Sequence, residues 1–581
     1  MRGAIFSMVL LVGLALARPA LPPQSSEYVG METCRSCHGE IYKTYQNVGM
    51  AKTFKRIDAV PLIEDWTKNN RFFHKPSNQY FEMTRQDGRF FQRRYQQDPS
   101  GRRRNEFEQE IHYIFGSGNK ERDYVHVSEA GEMIQFPVAW YSGENKWGMA
   151  PGYDRADHDG FTRSINYRCF SCHNAYPKTP VGADRHESKL SIYPRDLPQG
   201  IDCERCHGPG KTHAQSGGLI VNPAKLSRKL QMDVCMQCHL ETTGFALPNS
   251  VLKDGRAVFS YRPGEPLEDY AVYFDFPKGA GHDNDFNIVH QAYRLRKSEC
   301  FAKSEMTCTT CHDPHRRPES PLSFNSKCES CHVSGSSSNV CVLPLSRRRS
   351  NGNNCAACHM PQRRTYDAVH DIMTDHFIQR RPAGNLLAPR QDPNFKPYRG
   401  DLAFYLPEPN RDLYLGLGLV RGADVARGVG LLERALGLSA DGSMQLGLSY
   451  QTLGKRDLAI QSYRQALAKD PDYAEASYNL GLVLLQSGRV EEATAALEQA
   501  ILKQPAMADA YVALASSKAQ IGDWELVRKY NLEALRIRPT HVLAMYNLSI
   551  LERQSGRVDR ANAYIEQILK VDPTALSRLG K

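Results

Sequence analysis

A five-residue motif, Cys-x-x-Cys-His, constrains this chain more than any other feature, because it occurs seven times in 581 residues. Random placement of the chain's own cysteines and histidines would produce roughly 0.01 such motifs, so the pattern reflects a shared chemistry. The motifs use 14 of the 16 cysteines and leave Cys300 and Cys341 outside. The motif cysteines are Cys34, Cys37, Cys169, Cys172, Cys203, Cys206, Cys235, Cys238, Cys308, Cys311, Cys328, Cys331, Cys355 and Cys358.

This motif is the signature of covalent c-type haem attachment. The two thiols bond the vinyl groups of the haem, and the adjacent histidine takes one axial position on the iron. Seven motifs therefore predict seven covalently attached haems. The predicted proximal iron ligands are His38, His173, His207, His239, His312, His332 and His359.

Two other uses of paired cysteines explain the pattern less well. Cys-x-x-Cys pairs can make a structural zinc site, but zinc needs no histidine directly after every second cysteine. A disulfide framework conflicts with the motifs, which already claim most of the thiols. Cys300 and Cys341 could form a disulfide in an oxidising compartment or stay free and buried, and the sequence leaves both open.

Isolated histidines are candidates for the opposite face of a haem. His315, His370 and His376 lie among or after the last three motifs without neighbouring cysteines. His213 follows the third motif and a Gly-Pro-Gly turn, which directs the chain away from the haem that it has just attached. We therefore expect His213, and by the same argument His315, to reach a neighbouring haem.

Arginine clusters account for much of the net charge of +10, and they lie at Arg102–Arg104, Arg347–Arg349, Arg363–Arg364 and Arg380–Arg381. Each haem brings two propionates, and the arginine fork matches a carboxylate well. We interpret the clusters near the motifs as partners of propionates or as solvated surface. This interpretation leaves no need for a nucleic-acid partner.

Residues 1–17 predict a secretory signal peptide. Arg2 supplies the positive start, Ala4 to Ala17 is a short apolar core, and Ala15-Leu16-Ala17 is a small-residue cleavage site. The apolar core is shorter than the about 20 residues that span a bilayer. We therefore expect a periplasmic or secreted mature chain without a membrane span.

The haem motifs predict a cytochrome domain over residues 26–381, built from short helices and loops around porphyrin. Within it, helices are predicted over Ile41 to Phe54 and over Asp285 to Arg296. Residues 39–168 contain no other cysteine, and they carry two hairpin signals, Asp87-Gly88 and Glu129-Ala130-Gly131, each between aromatic or apolar runs. This segment predicts an antiparallel β insert. Residues 382–409 are rich in Pro, Asn and Asp and predict a linker.

Residues 410–575 repeat with a period of 34, as the positions of four glycines show: Gly454, Gly488, Gly522 and Gly556. A helix-turn-helix period of this length, with proline at its end, is the tetratricopeptide pattern. Residues 410–440 predict a fifth, degenerate repeat. The fold class is therefore mainly α: a cytochrome domain with a β-hairpin insert, followed by an α-solenoid. Such solenoids bind a protein partner in a groove, although a spacer or a dimerisation element is the alternative.

The chain resembles secreted multihaem c-type cytochromes related to the tetrahaem electron carrier of ammonia oxidisers, many of which are fused to tetratricopeptide repeats. The resemblance rests on Tyr28–Gly30, Phe286–Phe301, Cys308–His315, Cys358–Thr365 and Met373–His376. It implies a histidine as the second axial ligand of most haems. The candidates by position are His213, His290, His315, His370 and His376.

The family often has a histidine where this chain has Met50, so the second ligand of the first haem is either Met50 or another residue. The sequence favours an electron-transfer protein that docks a redox partner and needs no catalytic residue. One alternative is an oxidoreductase that acts on a small nitrogen or sulfur compound at one open haem. Another is a scaffold in which the repeats carry the function. The lysine that replaces a motif histidine in many nitrite reductases is absent here.

Overall fold

A computed structural model describes residues 27–180, 182–185, 188–240, 250–332, 341, 346, 352–380, 382, 384–390, 398–422, 424–435 and 437–579. The predicted signal peptide, Arg347–Arg349 and Arg381 lie outside these residues. Within the described part, no helix is both long enough and apolar enough to cross a membrane.

The β insert forms two antiparallel sheets. One is the meander β2-β3-β4-β5, and the other has the order β1-β6-β7-β9-β10, with β8 paired to β7. The strands are β1 Phe54–Arg56, β2 Arg71–His74, β3 Gln79–Gln86, β4 Arg89–Gln97, β5 Arg103–Ile111, β6 Tyr113–Phe115, β7 Glu121–Val127, β8 Met133–Gln135, β9 Val138–Tyr141 and β10 Lys146–Met149.

Both predicted hairpin turns of the insert are present. Asp87 and Gly88 join β3 to β4 with φ angles of 50° and 79°, the left-handed conformation that a two-residue hairpin turn requires. Glu129 to Gly131 lie in the connection from β7 to β8. The insert has a core of its own, in which Trp66 packs edge-on against Phe90 and Trp147.

Short helices form much of the rest of the cytochrome part, as predicted, and small sheets that were not predicted join them. The helices are α1 Met31–Arg35, α2 Gly39–Tyr45, α3 Tyr167–Ser171, α4 Glu204–His207, α5 Lys211–Ser216, α6 Arg228–His239, α7 Gln291–Leu295, α8 Glu299–Ala302, α9 Cys308–Cys311, α10 Asn325–His332 and α11 Cys355–His359. Each Cys-x-x-Cys-His motif overlaps one of these helices.

Two predicted helices are shorter in the structure than the sequence indicated. The helix expected over Ile41 to Phe54 ends at Tyr45. The helix expected over Asp285 to Arg296 begins only at Gln291. The backbone N–H of Ile288 donates to the Asp367 carboxylate at 3.0 Å, and this long-range bond holds the preceding residues outside the helix.

Three two-stranded sheets complete the cytochrome part: β11 Val251–Leu252 with β12 Ala271–Val272, β13 Phe274–Asp275 with β16 Ala403–Phe404, and β14 Gln362–Arg364 with β15 Ile372–Thr374. Strand β16 lies in the segment predicted to be a linker. Because β16 pairs with β13 and Tyr405 is buried beside it, the end of this segment belongs to the cytochrome fold.

The repeats form the predicted solenoid of helix pairs. The pairs are α12 Arg411–Arg421 and α13 Val425–Leu432, α14 Ala440–Thr452 and α15 Arg456–Lys469, α16 Ala474–Gln486 and α17 Val490–Lys503, α18 Ala508–Gln520 and α19 Trp524–Ile537, and α20 Val542–Gln554 and α21 Val558–Val571, with α22 Ala575–Leu579 after them. The first pair is the degenerate repeat. A side chain at Gly481 would lie 2.6 Å from Leu497, so glycine there lets α16 and α17 approach closely.

The solenoid packs against the cytochrome part along the edge that carries the turns between repeats. Arg538 forms an ion pair with the buried Glu132 at 2.7 Å. Arg185 pairs with Asp470 at 2.6 Å and lies over the ring of Tyr473. The two parts are therefore joined by packing and charge as well as by the covalent connection.

Candidate haem-binding site

Three motif histidines each face an isolated histidine from a distant part of the sequence. The ring centroids are 6.3 Å apart for His38 and His213, with an angle of 13° between the rings. They are 6.0 Å apart for His207 and His315, at 18°. They are 6.2 Å apart for His312 and His376, at 32°.

This separation fits a single iron between the two rings. A first-row metal binds an imidazole nitrogen at about 2 Å, so two imidazoles on opposite sides of one iron have centroids about 6 Å apart. The residues present therefore fit a haem iron with two axial nitrogens.

Backbone carbonyls fix which nitrogen of several rings is free to bind metal. Nδ1 of His207 lies 2.8 Å from the carbonyl oxygen of Val221, and Nδ1 of His213 lies 2.8 Å from that of Gly218. In His376 it lies 3.1 Å from the carbonyl of Thr374. Because a carbonyl only accepts, Nδ1 donates its proton and Nε2 keeps the lone pair that a metal needs.

Burial keeps several of these imidazoles neutral. It lowers the pKa of His173 and of His376 to about 4, and that of His290 to about 3. Burial also lowers the pKa values of His207 and His312. The neutral imidazole is the form that binds iron, so the environment favours the ligating state across neutral pH.

Each isolated histidine of the three pairs follows one motif and faces an earlier one. His213 follows the third motif and faces the first, and His315 follows the fifth and faces the third. His376 follows the seventh motif and faces the fifth. The odd-numbered motifs are thus linked in a series.

The first cysteines of three motif pairs are also neighbours. The neighbouring Cys203 thiol lowers the pKa of Cys34, and the neighbouring Cys235 thiol lowers that of Cys308. The thiols of Cys328 and Cys355 are neighbours as well. These contacts bring together the first and third, the fourth and fifth, and the sixth and seventh motifs.

Glu204, between the two cysteines of the third motif, holds the first pair of histidines in place. Its buried carboxylate accepts hydrogen bonds from the backbone N–H groups of Val29 at 3.1 Å, Gly30 at 2.8 Å and Gly210 at 2.7 Å. Gly30 precedes α1, which carries Cys34, and Gly210 precedes α5, which carries His213. Nothing in the sequence indicated this role, because the partners are far apart in the chain.

The remaining candidate ligands have other neighbours. Nε2 of His370 lies 3.1 Å from the Asp154 carboxylate, which also bonds Nε2 of His74 at 3.0 Å. The ring of His290 lies 4.9 Å from that of Tyr293. The backbone carbonyl of Met50 accepts a hydrogen bond from the backbone N–H of Ile201 at 3.0 Å.

Other motif histidines also have neighbours. The ring of His173 lies 4.0 Å from that of Phe115, and the His239 side chain lies near Gln291. Nδ1 of His359 lies 2.7 Å from the carbonyl of Gln379, while His332 has a partner of its own. Among the ring contacts of the described residues, His173, His239 and His359 face no other histidine.

The arginine clusters of the described chain have acidic partners within the protein. Arg103 pairs with Glu82 at 3.1 Å and Arg104 with Asp98 at 3.2 Å, on the surface of the β insert. Arg363 pairs with Asp375 at 3.2 Å. Cys300 and Cys341 are free thiols and do not form a disulfide.

In the part of the chain that the structure describes, no three or more His, Cys, Asp or Glu side chains are grouped to hold a metal ion. A structural zinc site needs four such ligands around one point.

Comparisons with known proteins bear on both parts of the chain. The family described as "Cytochrome c554 and c-prime" matches residues 149–208, which contain the second and third motifs. The multiheme cytochrome MtrA of Shewanella baltica (strain OS185) is 24% identical over 149 residues, which cover 23% of this chain and 43% of the relative. The tetratricopeptide repeat family matches residues 444–498 and 484–542. The chain is a multihaem cytochrome fused to tetratricopeptide repeats.

This multihaem cytochrome covers less than half the length of the curated relative that it matches. Among solved structures it is similar to MamA, with 22% identity, a TM-score of 0.25, and coverage of 26% of this chain and 92% of that one. It is also similar to MamA of Desulfovibrio magneticus RS-1, with 19% identity, a TM-score of 0.27, and coverage of 29% and 97%. Pseudomonas aeruginosa pilF matches with 24% identity, a TM-score of 0.26, and coverage of 28% and 75%.

Proposed function

We propose that the protein is a periplasmic or secreted electron-transfer protein that carries seven covalently bound c-type haems. The observation that carries this proposal is the three facing histidine pairs, with ring centroids 6.0–6.3 Å apart. An iron with two histidine ligands has no position left for a substrate. Such an iron gains and loses electrons without binding a reactant.

The motif cysteines would hold the haems, and the motif histidines would be their proximal ligands. His213, His315 and His376 would be the distal ligands of the first, third and fifth haems. A bound haem supplies one-electron oxidation and reduction. The protein's own residues hold the imidazoles still, keep Nε2 free, and bury the ligands away from water.

The linked motifs support a continuous route for electrons. The facing histidines join the first, third, fifth and seventh motifs, and the neighbouring thiols join the fourth to the fifth and the sixth to the seventh. Arg205 of the third motif donates to the carbonyl of Ser171 in the second at 3.0 Å. All seven motifs therefore belong to one connected network.

The repeat domain would dock the redox partner. Tetratricopeptide repeats mediate protein-protein contacts, and the edge with the turns between repeats already packs on the cytochrome part. The groove of the solenoid is the surface that we assign to the partner. The predicted signal peptide and the extracytoplasmic attachment of c-type haems support export.

One observation favours the oxidoreductase alternative at the second motif. The ring of His173 contacts Phe115, a side chain that offers iron no ligand. A haem at this motif with only His173 bound would have an open position for a small nitrogen or sulfur compound.

Two measurements on the mature, haem-loaded protein separate these functions. The intact mass should exceed that of the polypeptide by seven haems, and a lower count would contradict the proposal. Low-temperature electron paramagnetic resonance of the oxidised protein should show low-spin iron. A high-spin signal from about one iron in seven that shifts with nitrite or hydroxylamine would favour the enzyme instead.

A further inference from the structure

Arg205 is a buried cation at the meeting point of three motifs. It lies between the two cysteines of the third motif and is only 4% exposed. Its Nη2 donates to the carbonyl of Ser171 in the second motif at 3.0 Å. Its own carbonyl accepts a hydrogen bond from Gln237 in the fourth motif at 3.1 Å.

The guanidinium group of Arg205 lacks the partners that a buried charge needs. Nε and Nη1 are buried without a hydrogen-bond partner, and no carboxylate of the described residues forms an ion pair with it. The rings of Tyr176 and Phe259, at 4.7 and 5.6 Å, cover the group. An uncompensated buried charge is strongly unfavourable, so we expect an anion to bind the Nε and Nη1 groups.

The two acidic residues that precede Arg205, Glu204 and Asp202, do not meet this need. The Glu204 carboxylate accepts the backbone N–H groups of Val29, Gly30 and Gly210. The Asp202 carboxylate instead accepts the backbone N–H groups of Glu204 and Arg205, at 3.1 and 3.3 Å. Burial raises the pKa of Asp202 to about 7, which weakens it as a counter-ion. The partner therefore has to come from outside the polypeptide.

Haem propionates are anions that would be present inside this network. Vinyl and propionate groups occupy opposite edges of the porphyrin, so the haem bonded to Cys203 and Cys206 directs its propionates away from Arg205. A propionate that reaches Arg205 belongs to another haem. Two free N–H groups on one guanidinium suit the two oxygens of a carboxylate.

We propose that Arg205 binds a propionate of a neighbouring haem and raises the reduction potential of the haems around it. This inference rests on the proposed function, because it requires the haems. A fixed positive charge in a low-dielectric interior favours the reduced iron, which carries one positive charge fewer. Arg205 would thus make the haems near the second to fourth motifs the easiest to reduce.

Spectroelectrochemical titration of the haem-loaded full chain tests the proposal, together with resonance Raman spectra of the propionate bending modes. The variants are Arg205→Gln, which removes the charge, and Arg205→Lys, which keeps it but loses the fork. The matched control is Arg536→Gln, which removes an exposed arginine paired with Glu533 in the solenoid. All four proteins are first checked for an equal haem count.

Arg205→Gln should lower the potential of a subset of the haems and shift a propionate band. The haem reduction potentials of Arg205→Lys should stay close to those of the wild type, but its propionate band should still shift. The Arg536→Gln control should match the wild type in both measurements. An unchanged titration of a fully loaded Arg205→Gln protein would overturn the proposal. An unchanged propionate band in Arg205→Lys would also overturn the proposal. This variant provides the test if Arg205→Gln does not fold. A wild type without haem would instead contradict the proposed function.

Discussion

A histidine can ligate iron only if its Nε2 is free and its ring is held still, and single contacts meet both conditions here. At the residue scale, a backbone carbonyl binds Nδ1 of His213, while the Glu204 carboxylate anchors the loop from which His213 comes. Losing such an outer contact typically lowers metal affinity or activity by about 10- to 100-fold. The first haem site is where they can be tested separately.

Replacing His213 with alanine should leave one iron in seven without its second protein ligand. His213 faces His38 at 6.3 Å, so the first haem should change from low-spin to high-spin. Electron paramagnetic resonance at low temperature measures that fraction. His126→Ala is the control, because His126 bonds the carbonyl of Glu110 within the β insert. Purely low-spin iron in His213→Ala would show that another residue is the ligand.

Replacing Glu204 with glutamine should weaken the same site without touching a ligand. The carboxylate accepts three backbone N–H groups, and an amide can accept through only one of its two polar atoms. We expect a loss of about 1–3 kcal/mol in the free energy of unfolding. A partly high-spin first haem should accompany it. Glu32→Gln, an exposed change in α1, is the control, and equal effects of both variants would argue against the role of Glu204.

At the scale of elements, each attachment motif lies on a helix too short to be stable alone, so neighbouring elements have to hold it. Asp154 shows how: its carboxylate binds His74 at the end of β2 and His370 just before β15. The hairpin after the seventh motif is thereby joined to the β insert. Turn signals predicted the β insert, because they depend on local sequence, whereas the hairpin of β14 and β15 was not predicted. Asp154 was not predicted, because its partners are 80 and 216 residues away.

The Asp154 contact should make stability depend on pH. Hydrogen bonds from His370 and His74 hold the pKa of Asp154 below its ordinary value of 3.8. A carboxyl with a lowered pKa stabilises the fold above its unfolded pKa, and this stabilisation is lost as the pH falls through the folded value. Asp154→Asn should therefore cost about 1 kcal/mol at pH 7, a modest value because the group is partly exposed.

Chemical denaturation of wild type and Asp154→Asn between pH 7 and pH 3 measures this dependence. The difference between the two should shrink below about pH 4. Asp157→Asn, a change in a largely exposed carboxylate, is the control. A difference that stays constant down to pH 3 would show that ionisation of Asp154 does not contribute.

At the scale of the whole molecule, the sequence predicted both parts but not how they fit together. The seven motifs and the 34-residue period each repeat a local pattern, and repetition makes such patterns readable without a structure. The interface depends on single residues such as Glu132, Arg185 and Arg538, which carry no pattern. The proline-rich composition of residues 382–409 indicated a linker, whereas Ala403–Phe404 pair with the cytochrome part. Amino-acid composition reflects only the local polarity of a segment. It does not reveal that the segment pairs with a strand that is distant in the sequence.

The pair Arg538 and Glu132 should hold the solenoid against the cytochrome part. Glu132 is 1% exposed, and its Oε1 also accepts a hydrogen bond from Ser164 at 2.8 Å. Arg538→Gln removes the cation and leaves a buried carboxylate, which should cost about 2–3 kcal/mol of interface stability. Small-angle scattering should show a larger radius of gyration, and proteases should cleave residues 382–409 faster.

Arg536→Gln is the matched control for this last prediction, because Arg536 lies in the last turn of α19, two residues before Arg538, and pairs with Glu533. A double-mutant cycle with Glu132→Gln then isolates the pair: the second change should cost far less once Arg538 is gone. Additive losses would mean that apolar packing, such as that of Ile192 against the helices around Ala508, holds the two parts together instead. In that case the solenoid would remain in place at high salt as well, since apolar contacts are not screened by ions.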